Sequence, residues 1–396
     1  MTPLEANGQN GGAGVVAVSL LRHLSTLAPE MQFTLLTSEG SHGQLVLLDA
    51  PNVRRRCVRS AATPSPLARR MIDAILSPPA RVRLKQAYRS MRNSAYHHRL
   101  AQSLKPSLLF CPFTVSEFRQ PGTPCISIIY DLQHVSYPQF FTADQRLNRQ
   151  CHIAEACTRS TRVVCISEYV RGTLLAGFEI AADRVRTIPL GLLRSGARAD
   201  ASVVGRLGVR RGGFLLYPAN FWPHKNHRVL FEALSIFIEA HPDSPFRLVC
   251  TGAPNTLMRE LQVAAESMLP SGTVVFAGYL PDEELAGLLT ECSALIFPSL
   301  YEGFGLPVLE AMASGKPVLC SNVTSLPEVA GDAAVYFDPT SPRAIAEGIE
   351  ALSDRDRIAQ LVRQGRARAE TFGDGQRMAS EYLALLRTLL LATSSA

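Results

Sequence analysis

The sequence predicts an α/β protein built from two parallel-sheet domains of the Rossmann type. Three observations carry this reading. At 396 residues the chain exceeds one comfortable hydrophobic core, so two domains of about 180 residues each are expected. In the second half, apolar runs of five or six residues alternate strictly with amphipathic stretches of helical length, the pattern of a parallel sheet covered on both faces. Between the halves, residues 190–213 hold six glycines with several Arg, Ala and Ser and little periodicity, which marks a domain break.

Taken in order, residues 14–27 read as a helix, 32–37 and 45–48 as strands, and 107–113, 125–131 and 162–166 as further strands of the first domain. The second domain reads as strand 214–219, helix 227–240, strand 246–251, helix 255–268, strand 273–277, helix 282–292 and strand 294–298. A helix opening near Pro307 and strand 317–321 follow. The expected divisions are 1–190, a linker over 191–213, a second domain over 214–375, and a terminal helix over 376–396. That last helix carries Met378, Tyr382, Leu385, Leu386, Leu389 and Leu390 on one broad side. A domain of this kind normally opens on a buried strand before its first Gly-rich loop. Here only residues 2–6, with Pro3 and Glu5 among them, precede Asn7-Gly8-Gln9-Asn10-Gly11-Gly12, so the expectation is a start placed downstream of the first strand.

Composition bounds the function. A hydrophobic content of 46% with 19% charged residues is ordinary for a soluble globular protein. No apolar run reaches the roughly 20 residues a membrane span needs, and no signal core opens the chain, so a cytoplasmic location is expected. Nine cysteines without a C-x-x-C pair argue against a disulfide framework, and Cys151, His152 and Cys157 read as buried side chains rather than a metal site. Residues 53–105 carry 13 Lys and Arg against Asp73 alone, a net +12 in a chain whose total is +6. Leu84, Tyr88, Met91 and Ala95 recur there at helical spacing between arginines, which suits peripheral contact with an anionic membrane surface. No nucleic-acid motif accompanies the charge, so nucleic acid is excluded as a partner.

The chemistry concentrates after the strand at 294–298. Ser299-Leu-Tyr-Glu302-Gly303-Phe304-Gly305-Leu306-Pro307-Val-Leu-Glu310 places two carboxylates, with seven residues between them, around a Gly-rich turn and a helix start. Pro307 suits the first turn of a helix, whose unpaired amides and positive dipole end favour an anion. Carboxylates beside an anion site suit a nucleotide sugar, with its diphosphate on the amides and its hydroxyls on the carboxylates.

This motif resembles that of the retaining GT-B glycosyltransferases of family 4, the glycosyl transferases group 1. The resemblance implies that Glu302 contacts the donor sugar, that Glu310 holds the ribose, and that Gly303, Phe304, Gly305 and Leu306 present amides to sugar and phosphate. It implies a diphosphate clamp at Lys225 in Tyr217-Pro-Ala-Asn220-Phe-Trp-Pro-His224-Lys225, where Asn220 stands in the place of the usual Arg and gives a weaker clamp. Gly11 and Gly12, leading into the first helix, would face the donor diphosphate. Asp131 and His134 would lie near the acceptor, with Tyr130 where a His is usual.

The implied fold is GT-B, with two facing Rossmann-like domains and the terminal helix crossing back to the first. The implied activity is retaining transfer of a hexose, mannose first, without a metal or other cofactor, from GDP-mannose or a UDP-sugar to a glycan or lipid-linked glycan in cell-envelope polysaccharide synthesis. The rival readings are a catalytically silent GT-B protein that binds a nucleotide or glycan or scaffolds a glycan-assembly complex, and a soluble GT-B enzyme acting on a small sugar or metabolite.

Overall fold

The structure, a computed structural model, describes residues 11–58, 80, 96, 99–114, 118–193, 198–244 and 246–394. The chain divides into two compact units, Met1–Pro189 with Gln376–Ala396, and Leu190–Gly375.

The second unit is a six-stranded, all-parallel sheet. Its strands are β7 (Phe214–Pro218), β8 (Arg247–Thr251), β9 (Val274–Gly278), β10 (Ala294–Phe297), β11 (Val318–Ser321) and β12 (Val335–Phe337). Their spatial order is β12-β11-β10-β7-β8-β9. The chain therefore runs outward from β7 through β8 to β9, then returns to the other side of β7 with β10. That reversal leaves a crevice beyond the carboxyl ends of β7 and β10. Strands β7 and β10 are central, and their Phe214, Leu215, Leu216, Tyr217, Ala294, Leu295 and Ile296 are wholly buried. Such strands lack the polar alternation of half-exposed sheets because helices cover both faces.

The helices match the expected alternation: His227–Ala240, Thr256–Met268, Asp282–Glu291 and Leu306–Ala313 lie between the strands as predicted. Residues 198–213 belong to the second unit rather than forming a linker. The Asp200 amide donates to the Glu283 carbonyl at 2.9 Å, Arg206 forks onto Glu284, and the Gly212 amide donates to the Glu291 carbonyl at 2.8 Å. Gly287 is what lets this segment approach, since a Cβ there would sit 2.0 Å from the Asp200 carbonyl oxygen. Low periodicity concealed these contacts, two of which run through backbone atoms.

In the first unit, β1 (Phe33–Thr37) pairs in parallel with β2 (Val53–Cys57), and a separate four-stranded parallel sheet has the order β3-β4-β5-β6. These are Leu109–Cys111, Cys125–Ile129, Arg162–Cys165 and Val185–Thr187. The terminal helix Gly375–Ser394 lies almost wholly in this unit, where Tyr382 meets Phe110 edge-on at 5.7 Å and Arg387 pairs with Glu30 at 2.8 Å.

Three expectations for this unit need correction. The strand predicted over 45–48 is a 3₁₀ turn, Val46–Leu48, with Leu47 80% exposed. The neighbour of β1 is instead Val53-Arg-Arg-Arg-Cys57, an edge strand whose open side lets Arg54 and Arg56 reach solvent, so its charge hid it. The strand expected over 107–113 shrinks to Leu109–Cys111 between Pro106 and Pro112, which cannot donate to a ladder. The first helix begins at Gly11, three residues before the predicted start at Gly14, so Gly11 and Gly12 form its first turn. The residues before Gly11 lie outside the described part, as does the amphipathic stretch around Leu84, Tyr88 and Met91.

Candidate active site

In the second unit the site grows from two loops that leave the central strands. After β7 the chain makes a 3₁₀ turn, Pro223–Lys225, and Asn226 adopts the left-handed conformation (φ 62°) that starts the helix His227–Ala240. Asn tolerates that conformation better than most residues because its short amide bonds locally. Here its Nδ2 donates to the Pro298 and Pro339 carbonyls at 3.2 and 2.7 Å, tying the loop after β7 to the loop after β10. The backbone repeats the tie, with the Leu300 amide donating to the His224 carbonyl at 2.8 Å.

The tie brings the two charges together. Lys225 Nζ lies 2.5 Å from Glu302 Oε1, with side chains only 11% and 13% exposed, and 5.2 Å over the Phe297 ring. Beneath them, Tyr217 donates its hydroxyl to the Lys225 carbonyl, and burial pushes that hydroxyl's pKa well up, so it stays a neutral donor. His227 is packed between Tyr217 and Phe221, with ring centroids at 4.7 and 5.1 Å. Burial, followed by the nearby Lys225 charge, lowers its pKa to about 3.

Glu302 is held by its backbone. Its amide donates to Thr324 Oγ1 at 3.1 Å, and Ser325 Oγ bonds the carbonyls of Glu302 and Phe304, each at 3.0 Å. Gly305 follows at φ 102°, a conformation L side chains rarely adopt, and caps the helix Leu306–Ala313. It accepts from Val308 and Leu309, so Leu306 carries the first helical amide without an intrahelical acceptor. The Phe304 side chain turns inward against Phe372 at 5.6 Å, so only its backbone is available to a ligand. Glu310 is half-buried on this helix. Asn220 has a structural bond: its Oδ1 accepts the Ala253 amide at 2.9 Å, linking the ends of β7 and β8.

In the first unit, Asp131 and His134 follow β4. Asp131 Oδ1 accepts from the Gln133 amide at 3.1 Å and pairs with Arg149 Nη1 at 3.0 Å. Arg149 also stacks over Phe141 at 4.8 Å. His134 is 4% exposed, with its Nε2 3.3 Å from Gln150 Oε1, and burial holds its pKa below the usual range. The Tyr130 hydroxyl is buried and has no partner among the described residues.

Sequence reasoning missed Arg149, Thr324 and Ser325. Arg149 lies on a helix, Ala143–Arg159, whose polar face gave no separate signal. Thr324-Ser325 act through hydroxyl-to-backbone bonds that only the loop's conformation defines. None of the described residues form a group of three or more His, Cys, Asp or Glu able to hold a metal ion.

Residues 210–368 match the family model of the glycosyl transferases group 1, a span that contains Lys225, Glu302 and Glu310. Residues 210–368 thus form a domain of the group 1 glycosyltransferase type. Relatives of this chain include the O-antigen chain mannosyltransferase B of Escherichia coli, 30% identical over 253 residues, which cover 62% of this chain and 66% of that protein. The serotype-specific mannosyltransferase WbdA of Escherichia coli is 33% identical over 221 residues, 54% of this chain and 27% of that protein. The chain thus spans less than two thirds of the length of the curated relatives it matches first. Among solved structures, the sucrose-phosphate synthase of Thermosynechococcus elongatus aligns over 96% of this chain and 94% of that chain, with TM-score 0.73 and 20% identity. The fold is GT-B.

Proposed function

We propose that this chain transfers a hexosyl group, mannose first, from a nucleotide-sugar donor to a glycan acceptor in polysaccharide synthesis. The observation that carries this reading is the pairing of Lys225 with Glu302 at the switch point of the second sheet, beside the amino end of the Leu306–Ala313 helix. A cation and helix amides suit a departing diphosphate, while a carboxylate suits sugar hydroxyls. The names of the E. coli relatives favour mannose as the sugar and a cell-envelope glycan as the acceptor.

In this reading Lys225 stabilises the leaving diphosphate, Glu302 orients the sugar, Glu310 holds the ribose, and the backbone from Gly303 to Leu306 receives phosphate and sugar oxygens. The departing diphosphate oxygen takes the acceptor's proton on the same face, which retains the anomeric configuration. Positioning and charge stabilisation then supply the catalysis, with no divalent ion. Asp131 and His134 line the acceptor side, and a lipid-linked acceptor is reached with help from the basic segment 53–105 at an anionic membrane surface. Among the described residues no helix is long and apolar enough to cross a membrane.

Calorimetry with GDP-, UDP-, ADP- and dTDP-sugars, with and without EDTA, tests the reading on wild type and Lys225→Ala. Micromolar binding of one donor that survives EDTA and weakens at least tenfold in the variant supports it, and proton NMR of the product reads the anomer. Binding without turnover on any offered acceptor would favour the silent GT-B protein.

A further inference from the structure

Among the described residues of the second unit, Asn226 and Thr324 are the only non-glycines with a positive φ, and each stands beside one member of the Lys225–Glu302 pair. Asn226, at φ 62°, follows Lys225, and Thr324, at φ 58°, bonds Glu302. Asn takes up that conformation readily. Thr does not, because its branched Cβ crowds the neighbouring carbonyl, so a β-branched residue held there is strained. Strain of this kind gathers at functional sites, where the surrounding structure holds it in place.

The strained residue belongs to the turn between β11 and the helix Leu326–Ala330. Along extended backbone, consecutive side chains point to opposite sides. Here two consecutive hydroxyls reach the same residue. Thr324 Oγ1 accepts the Glu302 amide at 3.1 Å, and Ser325 Oγ donates to the Glu302 carbonyl at 3.0 Å. The left-handed bend at Thr324 aims both at Glu302. Leu326, next in the chain, packs against Gly305, so three successive residues seat the loop that carries the carboxylate. Gly would meet this backbone at no steric cost, but it has no hydroxyl to offer.

We propose that Thr324 is a positioning residue for sugar transfer: its strained backbone is kept for a hydroxyl that fixes the main chain of Glu302 and so aims the Glu302 carboxylate, held at one oxygen by Lys225, at the donor sugar. The proposal rests on the reading of Glu302 as the group that orients the sugar. Without the hydroxyl the peptide plane before Glu302 can rotate and carry the carboxylate with it, and a misplacement of about 1 Å costs up to about a hundredfold in rate.

The test compares Thr324→Ser, Thr324→Gly and Thr324→Val in the full chain. Ser keeps the hydroxyl, Gly takes the same backbone without strain, and Val keeps shape and strain without the hydroxyl. Stability and activity are expected to part. Thr324→Gly should unfold about 3 °C or more above Thr324→Val. Both should nevertheless lose at least about tenfold in kcat with donor KM within about threefold of wild type, while Thr324→Ser keeps kcat within about threefold. Exchange of the Glu302 amide hydrogen should quicken at least about tenfold in the Gly and Val variants and stay unchanged in Ser. Wild-type kcat in Thr324→Gly would overturn the proposal, as would unchanged exchange at Glu302 or a kcat loss shared by Thr324→Ser. Unfolding and exchange need no turnover, so a wild type without transfer refutes the transferase reading while the order of unfolding temperatures and the Glu302 exchange still decide whether strain at Thr324 is kept to fix Glu302.

Discussion

Lys225 and Glu302 stand 77 positions apart in the chain and 2.5 Å apart in space, the first after β7 and the second after β10. Because β7 and β10 are adjacent yet separated in sequence by β8 and β9, only the reversal of strand order brings these charges together. Both are nearly buried, so each depends on the other for compensation.

Removing one partner leaves the other's charge uncompensated. Lys225→Met is therefore expected to destabilise the chain by about 3 kcal/mol in urea unfolding, while the double variant Lys225→Met/Glu302→Leu recovers part of that loss. Additive losses in the double-mutant cycle would show that the pair is not coupled.

The two glutamates should separate by their effects. Glu310→Ala is expected to weaken donor binding about tenfold, and Glu302→Ala to abolish transfer with a smaller effect on donor Kd. Binding isotherms and initial rates check this, and equal, negligible effects of both would refute the site assignment.

Ser325 holds two carbonyls of the Glu302 loop at once. Ser325→Ala leaves both without that donor in a buried setting, at a cost of about 1–3 kcal/mol, and should lower kcat more than it weakens donor binding. Thermal unfolding together with a kcat and KM comparison reads both effects.

Gly305 combines φ 102° with a position where a Cβ would lie 2.6 Å from Leu326 Cδ2. The methyl of Leu326 can shift, but the backbone conformation cannot suit an L residue. Gly305→Ala should cost about 1–3 kcal/mol by thermal unfolding and should weaken donor affinity, because the cap of the Leu306–Ala313 helix moves.

His227 gives a pH signature. Its pKa is lowered to about 3 by burial, with the Lys225 charge adding to this, while an unfolded His titrates near 6.5. Between these values the unfolded chain binds the extra proton, so stability falls as pH drops from about 6.5 toward 3 and is fully present above that window. Urea midpoints across pH 4–7 should show a shallower slope in His227→Phe than in wild type. Identical slopes would place the pH sensitivity elsewhere.

Much of the second unit was legible in the chain. Its strands are central and apolar, its helices are amphipathic, and the Gly303-Phe-Gly305-Leu-Pro307 turn announces a helix start through residues whose backbone preferences are local. In the first unit β2 escaped notice because an edge strand tolerates arginine, and the short β6 has no periodicity to read. The candidate site was legible as residue types, since Lys225, Glu302 and Glu310 carry their chemistry in any context. Their supports were not: Thr324, Ser325, Asn226 and Tyr217 act through side-chain bonds to backbone atoms that only the folded loops bring within reach.

The sequence by itself determined the alternation of strand and helix, the Gly-rich turn and the identity of the charged groups, because local propensity and burial pattern repeat over short distances. The tertiary structure alone decided which charges meet and how the Glu302 loop is held. Those outcomes depend on strand order, which is set by crossover connections and the packing of whole layers rather than by any short run of residues.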